Sequence, residues 1–464
     1  MVLLAAGPFS HMAGKTQFGS KVGLIAATVG SAVGLGNVWR FPAEAQANGG
    51  AAFLIIYIVC VILLGIPVML AEFSLGRGTG RDSISSFKKL APRKKWWIGG
   101  AIAILASYLI LSFYIVVAGW TLEYFWQSLT GELYSGIAAE GVEQNFRHQL
   151  ERYVGGAWEP LVATYVIIAI NIFVLLNGVQ KGIEKMSNIM MPVLFILLVF
   201  FCVAALTLPK AREGLEFFYS PDFSKITAST LVNALGQAFF SLSLGMGILI
   251  TYASYYPKKT NLINTATTVS ALDLAVALLM GMIIFPAVMS FGLNGESLEG
   301  ATLVFITLPE VFASMPFTRF WSMLFFLLLL VAAVTSTIAL AEVSIAFVME
   351  KFKKGRKSAC FIVMLPLIAI SSICSLSQGP LSHIKILSMN IFDFLDTVAT
   401  NLMLPISAII TCIFLGWIAP KKFLHNELTN RRRVNRHISI GVIWMVKFAA
   451  PILIAIVLCA KFLN

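Results

Sequence analysis

Ser31-Ala-Val-Gly-Leu-Gly-Asn37 interrupts one long apolar segment, and Ser243-Leu-Gly-Met-Gly247 interrupts another about 210 residues later. Glycines and small polar residues in the middle of a membrane-length apolar run let a helix stop and restart. In lipid every backbone polar group must find a partner within the protein, so such breaks survive only where they line a protein or water-filled cavity. Two interrupted helices at corresponding places in two halves point to a transporter's midplane binding site. Close helix packing is the plainer explanation for glycines in a membrane helix. It serves one such segment well and a matched pair poorly.

Composition agrees. Hydrophobic residues make up 58% of the 464 and charged residues 12%, with a mean hydropathy of +0.86. A soluble protein of this length has no interior large enough for so much apolar surface. The chain is a polytopic membrane protein. Its net charge of +12 is topological rather than a nucleic-acid footprint. The clusters Arg77 to Lys95, Lys181 and Lys185, Lys258 and Lys259, Lys351 to Lys357, and Lys421 to Arg436 fall in every second loop. With Lys15 and Lys21 they hold about 24 of the 34 Lys and Arg, as cytoplasmic loops do. The six cysteines lie in or beside apolar segments without metal-ligand spacing, so neither a disulfide framework nor a zinc site is predicted. No phosphate loop, nucleophile elbow or histidine cluster suggests an enzyme or an organic cofactor. Residues 1–14, with Gly7-Pro-Phe-Ser-His-Met12 resembling a cleavage or cloning scar, are expected to be disordered or extraneous.

Apolar stretches long enough to span fall near 20–44, 50–74, 97–128, 159–177, 189–208, 228–255, 264–292, 319–349, 359–377, 390–418 and 438–462. Eleven spans with a cytoplasmic N-terminus put the C-terminus outside. No linker divides the chain, so residues 15–464 read as one all-α domain. Spans one to five (about 20–208) and six to ten (about 226–418) match as repeats. An odd number of spans per repeat inverts the second, and the eleventh is peripheral. The outward stretch Thr130 to Glu159 is expected to be part helical. Leu293 to Phe317, containing Phe305-Ile-Thr-Leu-Pro-Glu310, reads as a bent re-entrant lid.

Unwinding at the first break frees backbone carbonyls and amides. Sodium takes hard oxygen ligands, which carbonyls and an amide such as Asn37 supply. The helix half that restarts after the break turns its positive end toward an anion such as a substrate carboxylate. Intramembrane carboxylates are costly and mark function. Asp273, in Ala271-Leu-Asp-Leu-Ala275, has no Lys or Arg near it in sequence. A bound cation, a bound proton or a place in a proton relay would each account for it. Glu72, Glu342 and Asp396 pose the same question, and Glu72 has the further option of capping amides freed by a broken helix. Thr335-Ser-Thr337, midway along the eighth span, either bonds its own helix or ligates sodium. Tyr114 is either a buried aromatic or a hydroxyl donor to a carboxylate.

Gly30-Ser-Ala-Val-Gly-Leu-Gly-Asn-Val-Trp-Arg-Phe-Pro42 with Asn48-Gly-Gly50 resembles the signature of the neurotransmitter:sodium symporter family. Gln237-Ala-Phe-Phe-Ser-Leu-Ser-Leu-Gly-Met-Gly247 and Ile250-Thr-Tyr-Ala-Ser-Tyr255 resemble its sixth helix, and Phe305-Ile-Thr-Leu-Pro309 its extracellular lid. The resemblance covers nearly the whole chain and lies in the eleven-helix bacterial branch. It implies the leucine-transporter fold, with helices one and six broken.

For a first sodium the resemblance implies the Ala32 carbonyl, Asn37, Ser241 and Asp273, completed by the substrate carboxylate. For a second it implies the carbonyls of Gly30, Val33 and Ala332 with the hydroxyls of Thr335 and Ser336. Substrate carboxylate would meet the Gly36 amide and Tyr114, and its ammonium the carbonyls around Ser31, Phe240 and Ser243. The side-chain pocket would draw on Ile110, Phe240, Met246, Ser336 and Leu340. Arg40 and Asp396 resemble the outer gate, with Phe240 as its lid. Lys15 and Glu350 resemble the inner gate, with Phe18 beside them. Lys15 replaces the usual Arg, Phe18 the usual Trp, Ser241 the commoner Thr, and Asp273 an Asn of many relatives. The last supplies the charge that animal relatives take from chloride.

Gly182 and Pro192 bracket nine residues, a spacing similar to the motif by which the bacterial branch unwinds its fifth helix. A loop glycine and a helix-start proline are the plainer reading. The expected function is sodium-coupled, chloride-independent import of hydrophobic or aromatic L-amino acids by alternating access. Its partners would be sodium, the amino acid, the bilayer and, as an open possibility, a second copy in a homodimer; no nucleic acid is expected. Proton coupling through Asp273, and an amino-acid sensor without concentrative uptake, are the alternatives.

Overall fold

The computed structural model describes residues 17–135, 142–291, 300–430 and 436–463, so Lys15 lies outside the described residues. Ser20 starts the first helix: its hydroxyl accepts the Gly23 amide at 2.9 Å, satisfying one of the donors a helix start leaves free. Helix α1 (Lys21–Ala32) stops at Val33, whose ψ of 112° is extended. Helix α2 (Gly36–Ala47) restarts at an angle of 56°. The second break is sharper. Helix α10 (Ala228–Ser241), opened by a capping box between Thr227 and Thr230, gives way to α11 (Ile248–Ala253) through Leu242 to Gly247.

That crossing uses left-handed backbone at Ser243, Gly245 and Gly247, with φ of 53°, 78° and 72°. Gly245 has a second reason to lack a side chain: a Cβ there would stand 2.4 Å from the Leu404 carbonyl oxygen. Ser243 carries the same strained conformation with a side chain, and its hydroxyl donates to the Ser31 carbonyl at 2.7 Å. The two breaks are thus bonded to each other.

Around them, among the described residues, stand nine helices long and apolar enough to cross a membrane. They are α3 (Ala51–Thr79), α5 (Trp97–Thr130), α7 (Trp158–Leu176), α8 (Val179–Ala205), α12 (Leu262–Phe291), α14 (Thr318–Phe352), α15 (Arg356–Leu376), α16 (Ile391–Ile418) and α18 (Ser439–Ala460). With the two broken spans, each of the eleven expected segments has a helical counterpart. Helices α14 and α5 are the most enclosed, with 78% and 72% of their apolar windows buried, against 28% for α18. The first two therefore wall the breaks, and α18 is peripheral, as its position after the second repeat predicts.

Short helices close the ends: α4 (Ser83–Leu90), α6 (Val142–Gly155), α9 (Ala211–Tyr219), α13 (Gly300–Ala313) and α17 (Phe423–Leu428). Helix α6 supplies the helical part expected between Thr130 and Glu159. Helix α13 forms the described part of the expected lid, with Phe305 buried 4.9 Å from Tyr124 and 5.9 Å from Trp120 between ring centres; residues 292–299 lie outside the described residues.

The expected unwound segment differs. Residues Val179–Glu184 form a wide helical turn and Lys185–Ala205 an α-helix that runs through Pro192. The span therefore begins about ten residues before its apolar stretch. Polar contacts to the start of α1, described below, hold the added turn.

Candidate functional site

A cavity lies where the two breaks meet α5 and α14. It is lined by Ala32, assigned above to the first sodium, and by every residue assigned above to the substrate: Ser31, Gly36, Ile110, Tyr114, Phe240, Ser243, Met246, Ser336 and Leu340. Gly34, within the first break, and Ile248, just after the second, also line it; neither was assigned a role from the sequence. Ile110, Phe240, Met246, Ile248 and Leu340 form an apolar wall, and free backbone and hydroxyls form the opposite one. The Tyr114 hydroxyl accepts the Leu35 amide at 3.0 Å, which leaves its own proton for a further acceptor.

On one side of the break an oxygen-rich cluster surrounds Asp273, which is fully buried. Its carboxylate accepts from Ser241 Oγ at 2.7 Å, Asn37 Nδ2 at 2.8 Å and Tyr57 Oη at 3.3 Å. The same Ser241 Oγ lies 3.2 Å from Asn37 Oδ1. Gln237 donates to the Gly36 carbonyl at 3.3 Å, so α10 holds both the cluster and the break. Tyr57 and Gln237 were not singled out in the sequence, since nothing distinguishes them locally from other buried aromatic or amide residues. No cation from the chain is bonded to this carboxylate among the described residues. The oxygens of Asn37 and Ser241, beside one formal negative charge, make a hard site that fits a monovalent cation.

A second cluster lies on the other side. Ser336 Oγ is 3.4 Å from the Gly30 carbonyl, 3.4 Å from that of Val33 and 3.1 Å from that of Ala332. Thr335 Oγ1 is 2.9 Å from the Ala332 carbonyl. These five groups offer oxygen only. Gly30 is closely packed here: a Cβ would stand 3.1 Å from Met191 Sδ and 3.3 Å from Thr335 Cβ.

The chain matches the model of the sodium:neurotransmitter symporter family over residues 15–142 and 144–464. It belongs to that family. It is 36% identical over 448 residues to an uncharacterized sodium-dependent transporter of Bacillus subtilis, covering 97% of both chains. It is 28% identical over 386 residues to a sodium- and chloride-dependent GABA transporter of Drosophila melanogaster, covering 75% of this chain and 40% of that one. Its structure is similar to the crystal structure of MhsT in complex with L-phenylalanine, with 40% identity, a TM-score of 0.87, and coverage of 97% of this chain and all of that one. The protein is a multi-pass, sodium-dependent symporter with the fold the resemblance implies, and not an enzyme.

In this symporter Phe240 separates the cavity from a second pocket bordered by Arg40 and Thr400. The Arg40 guanidinium lies 5.7 Å from the Phe240 ring centre and 3.8 Å from Glu44, and it feels the Asp396 carboxylate. At the opposite end, called the basic face, Phe18 is buried among Tyr252, Tyr255 and Tyr256 at 5.9, 6.4 and 6.1 Å. The remaining intramembrane acids resolve into supports. Glu342 pairs with Arg356 at 2.6 Å and accepts from Tyr255 Oη at 2.7 Å. Glu72 accepts the Gly245 amide at 2.7 Å, capping the broken helix.

A further pair of acids sits at the basic face. Asp82 caps α4 by accepting the Ser85 amide at 3.1 Å. Its Oδ2 meets no N–H or O–H donor and faces the carboxyl of Glu350 at the end of α14. A buried carboxyl beside a second acid favours its protonated, neutral form. Burial, then Glu350, pushes the Asp82 carboxyl up to about 7. Lys89, whose neighbours include Arg81 and Glu350, donates instead to the Thr79 carbonyl at 2.7 Å. Because the value is raised, this stabilisation is whole below about pH 4 and is lost as the pH rises through about 7. Above that, opening of this face should rise by up to roughly tenfold per pH unit. Thiol labelling of Ser254→Cys, next to Tyr255 and nearly buried, measures it. Normalised to a free thiol at the same pH, since the thiolate is the reactive form, labelling should be faster at pH 8 than at pH 6, and Asp82→Asn should flatten the normalised difference. Equal normalised rates in the parent would contradict a protonated Asp82 holding this face closed.

Proposed function

We propose that this symporter imports hydrophobic and aromatic L-amino acids with two sodium ions per cycle and without chloride. The observation that carries the reading is the cavity itself: an apolar wall faces the Tyr114 hydroxyl, and the two oxygen clusters flank the same helix break. Substrate carboxylate is held by the Gly36 amide and Tyr114, and ammonium by carbonyls near Ser31, Phe240 and Ser243. Ile110, Met246, Leu340, Phe240 and Ser336 receive the side chain. Met246 is unbranched and polarizable, which suits a pocket that adapts to several apolar groups. The L-phenylalanine bound to MhsT supports the same substrate class.

The first sodium is held by Ala32, Asn37, Ser241 and Asp273, with the substrate carboxylate completing its shell. The second is held by Gly30, Val33, Ala332, Thr335 and Ser336. Asp273 supplies a fixed negative charge, so no mobile anion is needed. The basic face lies in the cytoplasm of a bacterial-type inner membrane and the C-terminus outside. Arg40 and Asp396 above Phe240 close the outer route; Lys15 and Glu350, with Phe18, close the inner one. Unwinding of Gly182 to Pro192 from its helical state hydrates the second sodium and lets it leave inward. Each charge moved inward is driven by about 2.3 kcal/mol per 100 mV of membrane potential.

Uptake of a radiolabelled amino-acid panel into proteoliposomes tests this. An inward sodium gradient should drive accumulation of phenylalanine, leucine, tyrosine or tryptophan above glycine and charged residues, equally in chloride and gluconate. Accumulation driven by a pH gradient without sodium would assign Asp273 to protons. Binding without accumulation would mark a sensor.

A further inference from the structure

The start of α1 is fastened by a residue 165 positions away in sequence. Glu184 Oε2 accepts the Gly19 amide at 2.7 Å, and its Oε1 accepts the Ser20 amide at 2.9 Å and the Ser20 hydroxyl at 2.8 Å. Ser20 in turn accepts the Gly23 amide, so the carboxylate stands behind the helix cap as a second, charged cap. A carboxylate is well placed there: bonds to an ionised acceptor are strong, and the helix start is its positive end. The approach is close. A Cβ on Gly23 would stand 2.2 Å from Glu184 Oε1 and 2.3 Å from its Cγ, so only glycine fits while Glu184 is seated. One turn earlier, Gln180 Nε2 donates to the Gln17 carbonyl at 2.6 Å.

Glu184 belongs to the Gly182 to Pro192 segment. The other end of that segment also touches α1: Met191 packs against Gly30, whose carbonyl faces the second oxygen cluster. Pro192 has no N–H to give the Asn188 carbonyl, so the helix is weakest at the point where Met191 meets α1. One short stretch of α8 therefore holds α1 twice, at its capped start and beside the second cluster.

We propose that Glu184 is a latch. Seated, it pins the start of α1 under Phe18 and keeps the basic face closed; withdrawn when its segment unwinds, it frees α1 to swing away. Loss of the second sodium and opening of the inner route are then one event. This inference rests on the proposed unwinding of Gly182 to Pro192, and deepens it by naming the residue through which unwinding acts on α1. Glu184 is a positioning residue and touches neither substrate nor sodium.

Hydrogen–deuterium exchange of the full-length transporter, in sodium and in potassium, separates the two ideas. In the parent, removing sodium should speed exchange both in 182–192 and in 19–32. Glu184→Gln, in sodium, should speed exchange in 19–32 by at least about tenfold while leaving 182–192 and the remaining helices at parent rates. Gly23→Ala, which displaces the carboxylate from the other helix, should do the same and serves if Glu184→Gln does not fold. Pro192→Ala should keep both segments slow in potassium, and adding Glu184→Gln to it should release 19–32 alone. Parent-like exchange of 19–32 in both single variants would overturn the latch. So would acceleration spread evenly over all helices, which is what a general loss of stability gives; a cap with no tie to the unwinding segment would leave 19–32 as slow in potassium as in sodium in the parent. If 182–192 in the parent ignores sodium, the unwinding reading fails instead, whatever the variants do.

Discussion

Asp273→Asn is expected to lower the apparent sodium affinity for uptake at least about 100-fold in chloride-free medium. The carboxylate is fully buried, accepts three neutral hydrogen bonds and has no bonded cation from the chain among the described residues. Its charge is therefore available to a bound ion. Removing one member of a buried ion pair costs about 3–5 kcal/mol, because the other charge is left in a medium that cannot solvate it. Asparagine keeps the size of the side chain and its hydrogen-bonding capacity but supplies no charge. The donors around it (Ser241, Tyr57 and Asn37) would then face a site without an anion. Chloride should therefore recover part of the lost uptake in Asp273→Asn while leaving the parent unaffected. Uptake by the variant in gluconate within about threefold of the parent, at limiting sodium, would remove Asp273 from the ion site.

Much of this was legible in the chain. The breaks were readable because glycines at mid-span have few uses in lipid, and the paired occurrence selects one of them. The cavity lining followed from the family motifs, and every residue so assigned lines one cavity. What stayed hidden depends on contacts between distant segments. Glu342 raised the same question as Asp273, and only the reversal between α14 and α15 brings Arg356 onto it at 2.6 Å. Tyr57 meets Asp273 across 216 residues, and an ordinary aromatic in an apolar run gives no local signal of that. Glu184 sits in a polar stretch where an acid looks solvated, yet it is nearly buried against Gly19, Ser20 and Gly23. The helical state of Gly182 to Pro192 was likewise beyond hydropathy, since its one acid, Glu184, is satisfied at the start of α1 rather than by water.

The second large effect concerns coupling. If the substrate carboxylate completes the first sodium shell, amino acid and sodium must raise each other's affinity by the same factor. Tyr114 and Gly36 line the same cavity as Asn37 and Ser241, so one carboxylate has both oxygen-seeking partners within the site. Saturating L-phenylalanine should raise sodium affinity by roughly 5- to 150-fold, the usual range for a coupling free energy of about 1–3 kcal/mol. Phenethylamine, which keeps the ring and ammonium and lacks the carboxylate, should give no such increase even when it occupies the pocket. The decisive measurement is therefore a sodium titration of the purified symporter alone, with L-phenylalanine and with phenethylamine. The account predicts a tightened sodium isotherm with the amino acid only. Identical isotherms with and without L-phenylalanine would contradict it.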